Sequence, residues 1–349
     1  IEGKKIGINH PTYFIADLAA NHDGDIGRAK ELIHLCKEAG ADAAKFQHFQ
    51  AETIVSKTKW DAIQNQSHQS AWKKSVFDVY SDASVSLDWT QELVDECKKA
   101  DITFFTSPYS LDLVDSIDPY VPAFKIGSGD ITWLEIIEHI AKKGKPYLLA
   151  TGASSLEDVV RAVNIGIEHN SDFVLMQCNT NYTASHENMK FVNLNVLNSY
   201  SSMYPGMILG LSDHTHGCVS VLGSVAMGAR VIEKHFTDDN ERTGPDHKFS
   251  MNPSSWREMV DRTRELEACF GDGIKKIEEN ELQSSVVQRR GLQLTNDITA
   301  GQVISSDDLF PLRPCTSDSI PPYLVDEIIG KVARTNLKSD HYLKWTDLE

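Results

Sequence analysis

Long apolar runs, basic charge and paired cysteines are all scarce in this 349-residue sequence. The longest nearly apolar stretch, Cys218 to Ala229, is twelve residues, well short of the roughly 20 a membrane-spanning helix needs. No membrane partner is expected. Lys and Arg number 34 against 50 Asp and Glu, a net charge of −16 spread along the chain. Nucleic acids and anionic bilayers are gripped through basic patches, so this balance argues against both. Six cysteines, Cys36, Cys97, Cys178, Cys218, Cys269 and Cys315, lie far apart without a CxxC, which signals neither a disulfide framework nor a zinc ribbon. They read as free thiols in a reducing compartment. No apolar h-region follows Ile1-Glu2-Gly3-Lys4-Lys5, and the expected location is the cytoplasm.

What is present is an alternation. Apolar residues make up 41 % of the chain, ordinary for a globular protein and too many for disorder. At about 150 residues per domain, the length suits two domains or one large barrel with an appendage. Over the first 270 residues, short β-rich runs alternate with helical patterns, the mark of a parallel sheet with helical crossovers. The runs are Tyr13 to Asp17, Ala43 to Gln47, Ile102 to Thr106, Ala123 to Ser128, Tyr147 to Thr151, Phe173 to Cys178, Ile208 to Asp213 and Val231 to Phe236. Eight strands close a (β/α)8 TIM barrel, usually about 250 residues long. The expected class is therefore α/β, with the barrel over residues 1–270.

Between the runs, amphipathic stretches such as Ile26 to Ala39 put Ala29, Leu32, Ile33 and Cys36 on one face, with Gly40 as a stop. Similar helices are expected at Thr90 to Lys99, Leu134 to Lys142, Leu156 to His169, Val219 to Met227 and Trp256 to Cys269. After Ser107 only Leu111 to Ile117 is available as a helix. The stretch from Phe49 to about Asp88, with Trp60, Trp72 and Tyr80, is too long for a plain βα loop and reads as a lid or binding loop. A charged linker, residues 271–288, leads into a small domain over 289–349 that buries little surface by itself and is expected to dock on something. Within it, Asp297 to Leu309 is echoed by Asn336 to Leu348 at an offset of 39, as in two half-motifs packed together.

A (β/α)8 barrel builds its active site at the carboxyl ends of its strands, and here those ends are polar. They offer Asp17; Lys45 and Gln47; Ser107; Lys125 and Ser128; Thr151; Asn179, Thr180 and Tyr182; Ser212, Asp213 and His214; and Glu233 and His235. Alternate residues of a strand share a side, so Lys45 with Gln47, and Glu233 with His235, share the lumen. Lysine in an apolar strand is costly to bury unless an anion meets it. Taken singly, each lysine could pair with a core carboxylate such as Asp17 or Glu233. Lys45 and Lys125 together, beside serines, point to a phosphate and carboxylate site. His214 and His235 close neighbouring strands and can hold a divalent cation through neutral imidazoles, with water and substrate oxygens completing an open sphere. Asp213, Glu233 and Asp246 lie near them in sequence. Such a cation suits Lewis-acid work on a carbonyl. His22 reads equally as a loop packing residue, and Cys178 as a small core residue.

Seven motifs in order then resemble the sialic acid synthase family, the N-acetylneuraminate, legionaminic and pseudaminic acid synthases and their spore-coat relatives. They are Asn21-His22-Asp23-Gly24, Gly40 to Gln47, Phe124 to Asp130, Thr151-Gly152, Gly210 to Thr215, Glu233 to Phe236 and Gly244-Pro245-Asp246. The tail, with Arg313-Pro314, resembles the antifreeze-like (SAF, β-clip) domain of these enzymes. The resemblance implies a metal-dependent condensation of phosphoenolpyruvate with a 2-acetamido-mannose aldehyde, giving a nonulosonic acid and phosphate. It implies that Lys45, Ser107, Lys125, Ser128, Thr180 and Ser212 hold phosphoenolpyruvate, that His214 and His235 hold the metal, and that Gln47, Tyr182 and Asp246 hold the sugar. Tyr109 joins the substrate-binding set, Asp17 the catalytic one, and Glu233 is a candidate acid/base group. The implied metal is Mn2+, with Mg2+ or Co2+ as alternatives.

Three departures bear on the sugar: Asp17 stands where the family commonly has Glu, Tyr182-Thr183 where Tyr-Pro is common, and Thr180 where Asn or Ser is frequent. A 2,4-diacetamido-2,4,6-trideoxy sugar is thus an open alternative acceptor. Two other readings are a metal-dependent aldolase or condensation on a shorter aldose, and a non-catalytic carbohydrate-binding relative. The first lacks a use for the tail, and the second would leave buried charges as a stability burden. The resemblance also implies a homodimer in which Arg313 reaches a partner's barrel, its planar donor fork suiting the sugar's acyl oxygen. Mixing Arg313→Ala chains with barrel-dead Lys125→Ala chains should then restore activity in heterodimers. Absence of recovery at every mixing ratio refutes the swapped arrangement.

Overall fold

The computed structural model describes residues 1–62 and 74–349. Eight parallel strands close a barrel in sequence order: β1 (Tyr13–Asp17), β2 (Ala43–His48), β3 (Thr103–Pro108), β4 (Phe124–Ile126), β5 (Tyr147–Ala150), β6 (Phe173–Cys178), β7 (Ile208–Asp213) and β8 (Ala229–His235). The chain forms a TIM barrel, as the run count led one to expect. β4 is shorter than its apolar run because the backbone turns at Gly127 into a 3-10 turn at Ser128–Asp130.

The crossovers show their causes locally. Ile26–Glu38 starts where the Asp25 side chain accepts from the Arg28 amide, and it buries Ala29, Leu32, Ile33 and Cys36. It stops before Gly40, whose φ of 98° suits glycine. Leu111–Ile117 is indeed the crossover after β3, capped by Ser110. Sequence reasoning missed Val196–Met203, between β6 and β7. Its serines and asparagine mask the period, and only Leu197 and Tyr200 are buried. Between β2 and Thr90–Lys99 the long excursion carries Ala51–Ile54, Lys57–Ala62 and Val76–Ala83. Trp72 lies outside the described residues. Among these residues no helix is long and apolar enough to cross a membrane.

The barrel interior has two levels. Tyr13, Ile15, Ala43, Phe105, Ala123, Leu148, Val174, Met176 and Val231 form one apolar cluster in its lower part. Two residues further along, the same inward faces become polar: Ile15 gives way to Asp17, Ala43 to Lys45, Phe105 to Ser107, Ala123 to Lys125 and Val231 to Glu233. The other strand faces, with Phe14, Ala44, Phe46 and Ile232, pack against the helices. Apolar packing thus closes the bottom and leaves a charged top.

Residues Gly271–Glu349 form a second compact unit. Its first part carries a helix at Leu282–Val287. The rest pairs β9 (Gly291–Leu294) antiparallel with β10 (Leu309–Leu312). The offset-39 echo is physical. Ile298 and Leu337 bridge each other, and Ile298, Ile304, Leu309, Leu337, Leu343 and Leu348 share one core. Each half ends in a 3-10 turn whose aspartate accepts from the amide three residues earlier, Asp308 from Ser305 and Asp347 from Lys344. Leu343 is wholly buried and its amide donates to the Leu292 carbonyl. Leu343→Ala should cost about 2–5 kcal/mol, read as faster hydrogen exchange at the Leu292 and Leu294 amides; unchanged protection would refute this account of the core.

Candidate active site

A cavity of about 440 Å³ opens at the carboxyl ends of the strands. β1 supplies Asp17, β2 supplies Lys45 and Gln47, β3 supplies Ser107, β4 supplies Lys125, and β7 and β8 supply Ser212, Glu233 and His235. The segments that follow the strands add Tyr109, Ser128, Thr180, Tyr182, His214 and Asp246. Every site residue expected in the barrel therefore lines one cavity. Arg313 lies in the C-terminal unit, exposed, with its carbonyl accepting from the Tyr342 hydroxyl.

Charge organises the floor. Lys45 is 1 % exposed and Lys125 3 %, and neither is left alone. Lys45 Nζ donates to Asp17 Oδ2 at 2.6 Å, and Lys125 Nζ to Glu233 Oε1 at 2.7 Å. The two pairs touch, since Lys45 Nζ also lies 4.0 Å from Glu233 Oε1 and 3.4 Å from Ser107 Oγ. Both readings of the lysines thus hold at once: they pair with Asp17 and Glu233, and they face the cavity. Burial pushes Asp17 up, but the charge and hydrogen bond of Lys45 outweigh it and hold the carboxyl below its usual range. Burial pushes Lys45 down, and Asp17 and Glu233 reverse this. Asp17 also accepts from Gln47 Nε2 at 3.0 Å and from the Ala19 amide at 3.1 Å, so its oxygens are well occupied. Glu233 is less complete: Ser212 Oγ donates to Oε1 at 3.2 Å, while Oε2 is buried without a hydrogen-bond partner.

Ser128 Oγ accepts from the Gly152 amide at 2.9 Å. A Cβ at Gly152 would lie 1.8 Å from Thr180 Oγ1 and 2.9 Å from both Ser128 Oγ and Cys178 Sγ, so only glycine lets β5 end this close to the hydroxyls. Cys178 itself is buried on β6 and does not line the cavity.

Across the cavity, the rings of His214 and His235 have centroids 5.3 Å apart, with Tyr182 and Phe249 packed on both. Burial drives His235 down to about 3, so its imidazole is neutral near pH 7. Its Nδ1 is buried without a hydrogen-bond partner and lies 3.8 Å from Asp246 Oδ2. His214 Nδ1 bonds the Asn179 carbonyl at 3.0 Å, which makes Nδ1 the protonated nitrogen and leaves Nε2 as a donor of a lone pair. Burial lowers His214, but Cys178 and Asn179 raise it overall, so a cation there would compete with a proton. Among the described residues no group of three or more His, Cys, Asp or Glu is spaced to enclose a metal. The donor set fits an open two-imidazole site whose remaining ligands are water and substrate oxygens.

Four other residues that the sequence singles out, Thr151, Asn179, Asp213 and His22, lie outside the cavity set; Thr151 is buried, its hydroxyl accepting from Tyr200 and donating to the Met176 carbonyl, and the Asn179 carbonyl bonds His214. Asp213, near the histidines in sequence, turns away from the cavity, as strand alternation requires when Ser212 faces it. His22 is fully buried, packs edge-on to Trp89 and accepts from the Gly24 amide, a loop packing role. Sequence reasoning gave no role to Asp130, although it ends a quoted motif. It lines the cavity, and burial raises it to about 6. The stretch from Phe49 to about Asp88, read from its length as a lid or binding loop, does reach the cavity: Phe49, Ile54, Val79 and Ala83 line it beside Tyr80, residues that its length alone does not single out.

Comparison with known proteins agrees with this geometry. Residues 32–275 match the NeuB family and residues 289–349 the SAF domain. The N,N'-diacetyllegionaminic acid synthase of Campylobacter jejuni is 34% identical, over 95% of this chain and 99% of its own. The Legionella pneumophila enzyme of the same name is 34% identical, over 99% and 97%. The solved N-acetylneuraminic acid synthetase of Leptospira borgpetersenii, in complex with citrate, superposes with a TM-score of 0.71 at 27% identity, over 81% of this chain and 93% of that one. A buried lysine floor, a facing histidine pair and these matches together establish that the chain belongs to the NeuB family, that of the sialic, legionaminic and pseudaminic acid synthases, and ends in a SAF domain.

Proposed function

We propose that this protein condenses phosphoenolpyruvate with N-acetylmannosamine or a related 2-acetamido-mannose sugar and water, giving a nonulosonic acid and phosphate. The observation that carries the reading is the convergence of Lys45 and Lys125, from different strands, on one cavity opposite His214 and His235. A polyanion entering the floor takes up, through its phosphate and carboxylate, the N–H donors that Lys45 and Lys125 do not spend on Asp17 and Glu233, and Ser107, Ser128, Thr180 and Ser212 supply hydroxyls. Gln47, Tyr109, Tyr182 and Asp246 hold the acceptor. A divalent cation on His214 and His235, Mn2+ on this reading, would supply Lewis-acid polarisation of the acceptor aldehyde.

The enol carbon attacks that aldehyde, whose π electrons move onto its oxygen as an alkoxide, and the electron-poor C2 that results is captured by water, whose proton passes by way of Glu233 to that alkoxide. Glu233, with Oε2 unpartnered, takes the water's proton. Collapse of the tetrahedral adduct breaks the C–O bond to phosphate, and the lysines stabilise the departing dianion. The swapped homodimer, with Arg313 on the acyl group of a second copy's acceptor, and a cytoplasmic setting belong to the same proposal.

A second acceptor is favoured by one observation. Phe49, Ile54, Val79 and Ala83 give the cavity an apolar wall, against which a sugar hydroxyl would lose its partner. A 2,4-diacetamido-2,4,6-trideoxyhexose has fewer hydroxyls to lose, and two of the relatives above are named for a diacetylated product.

Phosphate release from phosphoenolpyruvate with Mn2+ should require an acceptor, and the faster of N-acetylmannosamine and its 2,4-diacetamido-2,4,6-trideoxy analogue identifies the sugar. Replacing both His214 and His235 with Gln should abolish metal dependence and nearly all turnover; retained metal-stimulated release would sink the assignment. Asp130 provides a test of site electrostatics. Its carboxyl is raised from 3.8 to about 6 by burial, so the folded chain binds this proton more tightly than the unfolded one. Stability from this group is therefore full below 3.8 and is lost as pH rises through 6. Asp130→Asn should stabilise the fold by about 3 kcal/mol at pH 8 and by almost nothing at pH 3.5. Equal gains at both pH values in urea unfolding would contradict this.

A further inference from the structure

Asp213 and Lys234 form a buried ion pair that the cavity does not use. Their side chains are 3 % and 1 % exposed, and neither lines the cavity. β7 and β8 pair with Ser212 opposite Glu233 and Asp213 opposite Lys234. Because alternate side chains take opposite faces, Ser212 and Glu233 point inward and the charged pair points outward, toward the helix Val219–Ala226. Ser220 on that helix donates to Asp213 Oδ2 at 2.6 Å. The Thr215 amide donates to Asp213 Oδ1 at 3.1 Å, and its hydroxyl reaches both carboxylate oxygens at 3.0 Å. Lys234 Nζ donates to Asp213 Oδ2 and to the Thr215 carbonyl.

These bonds close around two residues. Asp213 and Thr215 are the neighbours of His214, and the carboxylate of the first accepts from the amide and hydroxyl of the second. Lys234, which precedes His235, binds that carboxylate and the carbonyl just after His214. The turn that carries one imidazole is thus cross-linked to the strand that carries the other, from the side away from the cavity. Buried polar groups so fully satisfied behave as one rigid unit.

We propose that the Asp213–Lys234 pair is a positioning element that sets the spacing and orientation of His214 and His235 for a divalent cation. The inference rests on the two-histidine reading of the site. The fold itself has other support here, since Val221 and Val225 anchor the same helix in the core with no exposure, and a buried ion pair replaced by neutral groups of similar volume is often neutral for stability. What the pair specifies is the relation between two imidazoles.

The test titrates Mn2+ alone into the full-length chain, with free Mn2+ counted by electron paramagnetic resonance. The parent is compared with the double variant Asp213→Asn/Lys234→Met, which removes both charges at similar volume. The variant should keep the parent's circular dichroism and, within about twofold, its affinity for inorganic phosphate. Its Mn2+ dissociation constant should rise roughly 10–100-fold. A folded variant with parental Mn2+ affinity overturns the inference and leaves the cation reading standing. Failure of the parent itself to bind Mn2+ overturns both. Ser220→Ala, which removes one donor to Asp213 and no charge, decides the matter if the double variant does not fold. Mn2+ binding weakened by about threefold or more supports the positioning role, and parental affinity overturns it.

Discussion

A lysine ammonium inside a protein is tolerable only where an anion meets it, and this barrel places two of them on its floor. Lys45 and Lys125 are held by Asp17 and Glu233, and the two pairs lie close enough to act as one cluster. The arrangement balances charge without filling the space above it. Two positive and two negative groups sum to nothing, yet each lysine keeps donor capacity toward the cavity, because a protonated amine has three hydrogens and its carboxylate takes one. Removing either carboxylate would strand a buried cation, which is far costlier than never having had the pair. The site and the stability of the upper barrel are therefore the same interaction seen from two sides.

The fold delivers that cluster by a simple device. Each inward strand face starts apolar and turns polar two residues later, so the packing that closes the barrel below also fixes the height at which charge begins. Register does the rest. Asp17 lies beside Lys45 on one side and beside His235 on the other, and Ser212 beside Glu233. The opposite faces of β7 and β8 use the same register to tie the two histidine-bearing strand ends together.

Much of this is legible in the sequence because parallel strands buried on both faces read as compact apolar runs. The strand ends can be listed, and the rule that sites sit at carboxyl ends turns that list into a cavity lining. The offset-39 echo is legible for a similar reason, since repeated apolar positions mean repeated burial. What escapes has no periodic signal. Val196–Met203 is half hydroxyl and amide side chains, so its helical period is hidden. The excursion after β2 is legible from its length as a binding loop that holds Tyr80, but which of its apolar residues line the cavity depends on tertiary placement alone. The lysines can be read as paired or as ligand-facing, and only the geometry shows that a side chain can be both.

The two walls of the cavity have different architectural status. The charged floor is carried on strands, where each residue is pinned by register and by neighbours on both sides. The apolar wall is carried on a segment inserted between β2 and the next crossover helix, outside the barrel's hydrogen-bonded frame. A change in the floor propagates into the closure of the barrel, while a change in the inserted wall alters shape locally. On the proposed function, exchanging that segment would reshape the acceptor side of the cavity beside Tyr80 while Lys45 and Lys125 keep their carboxylate partners on the strands.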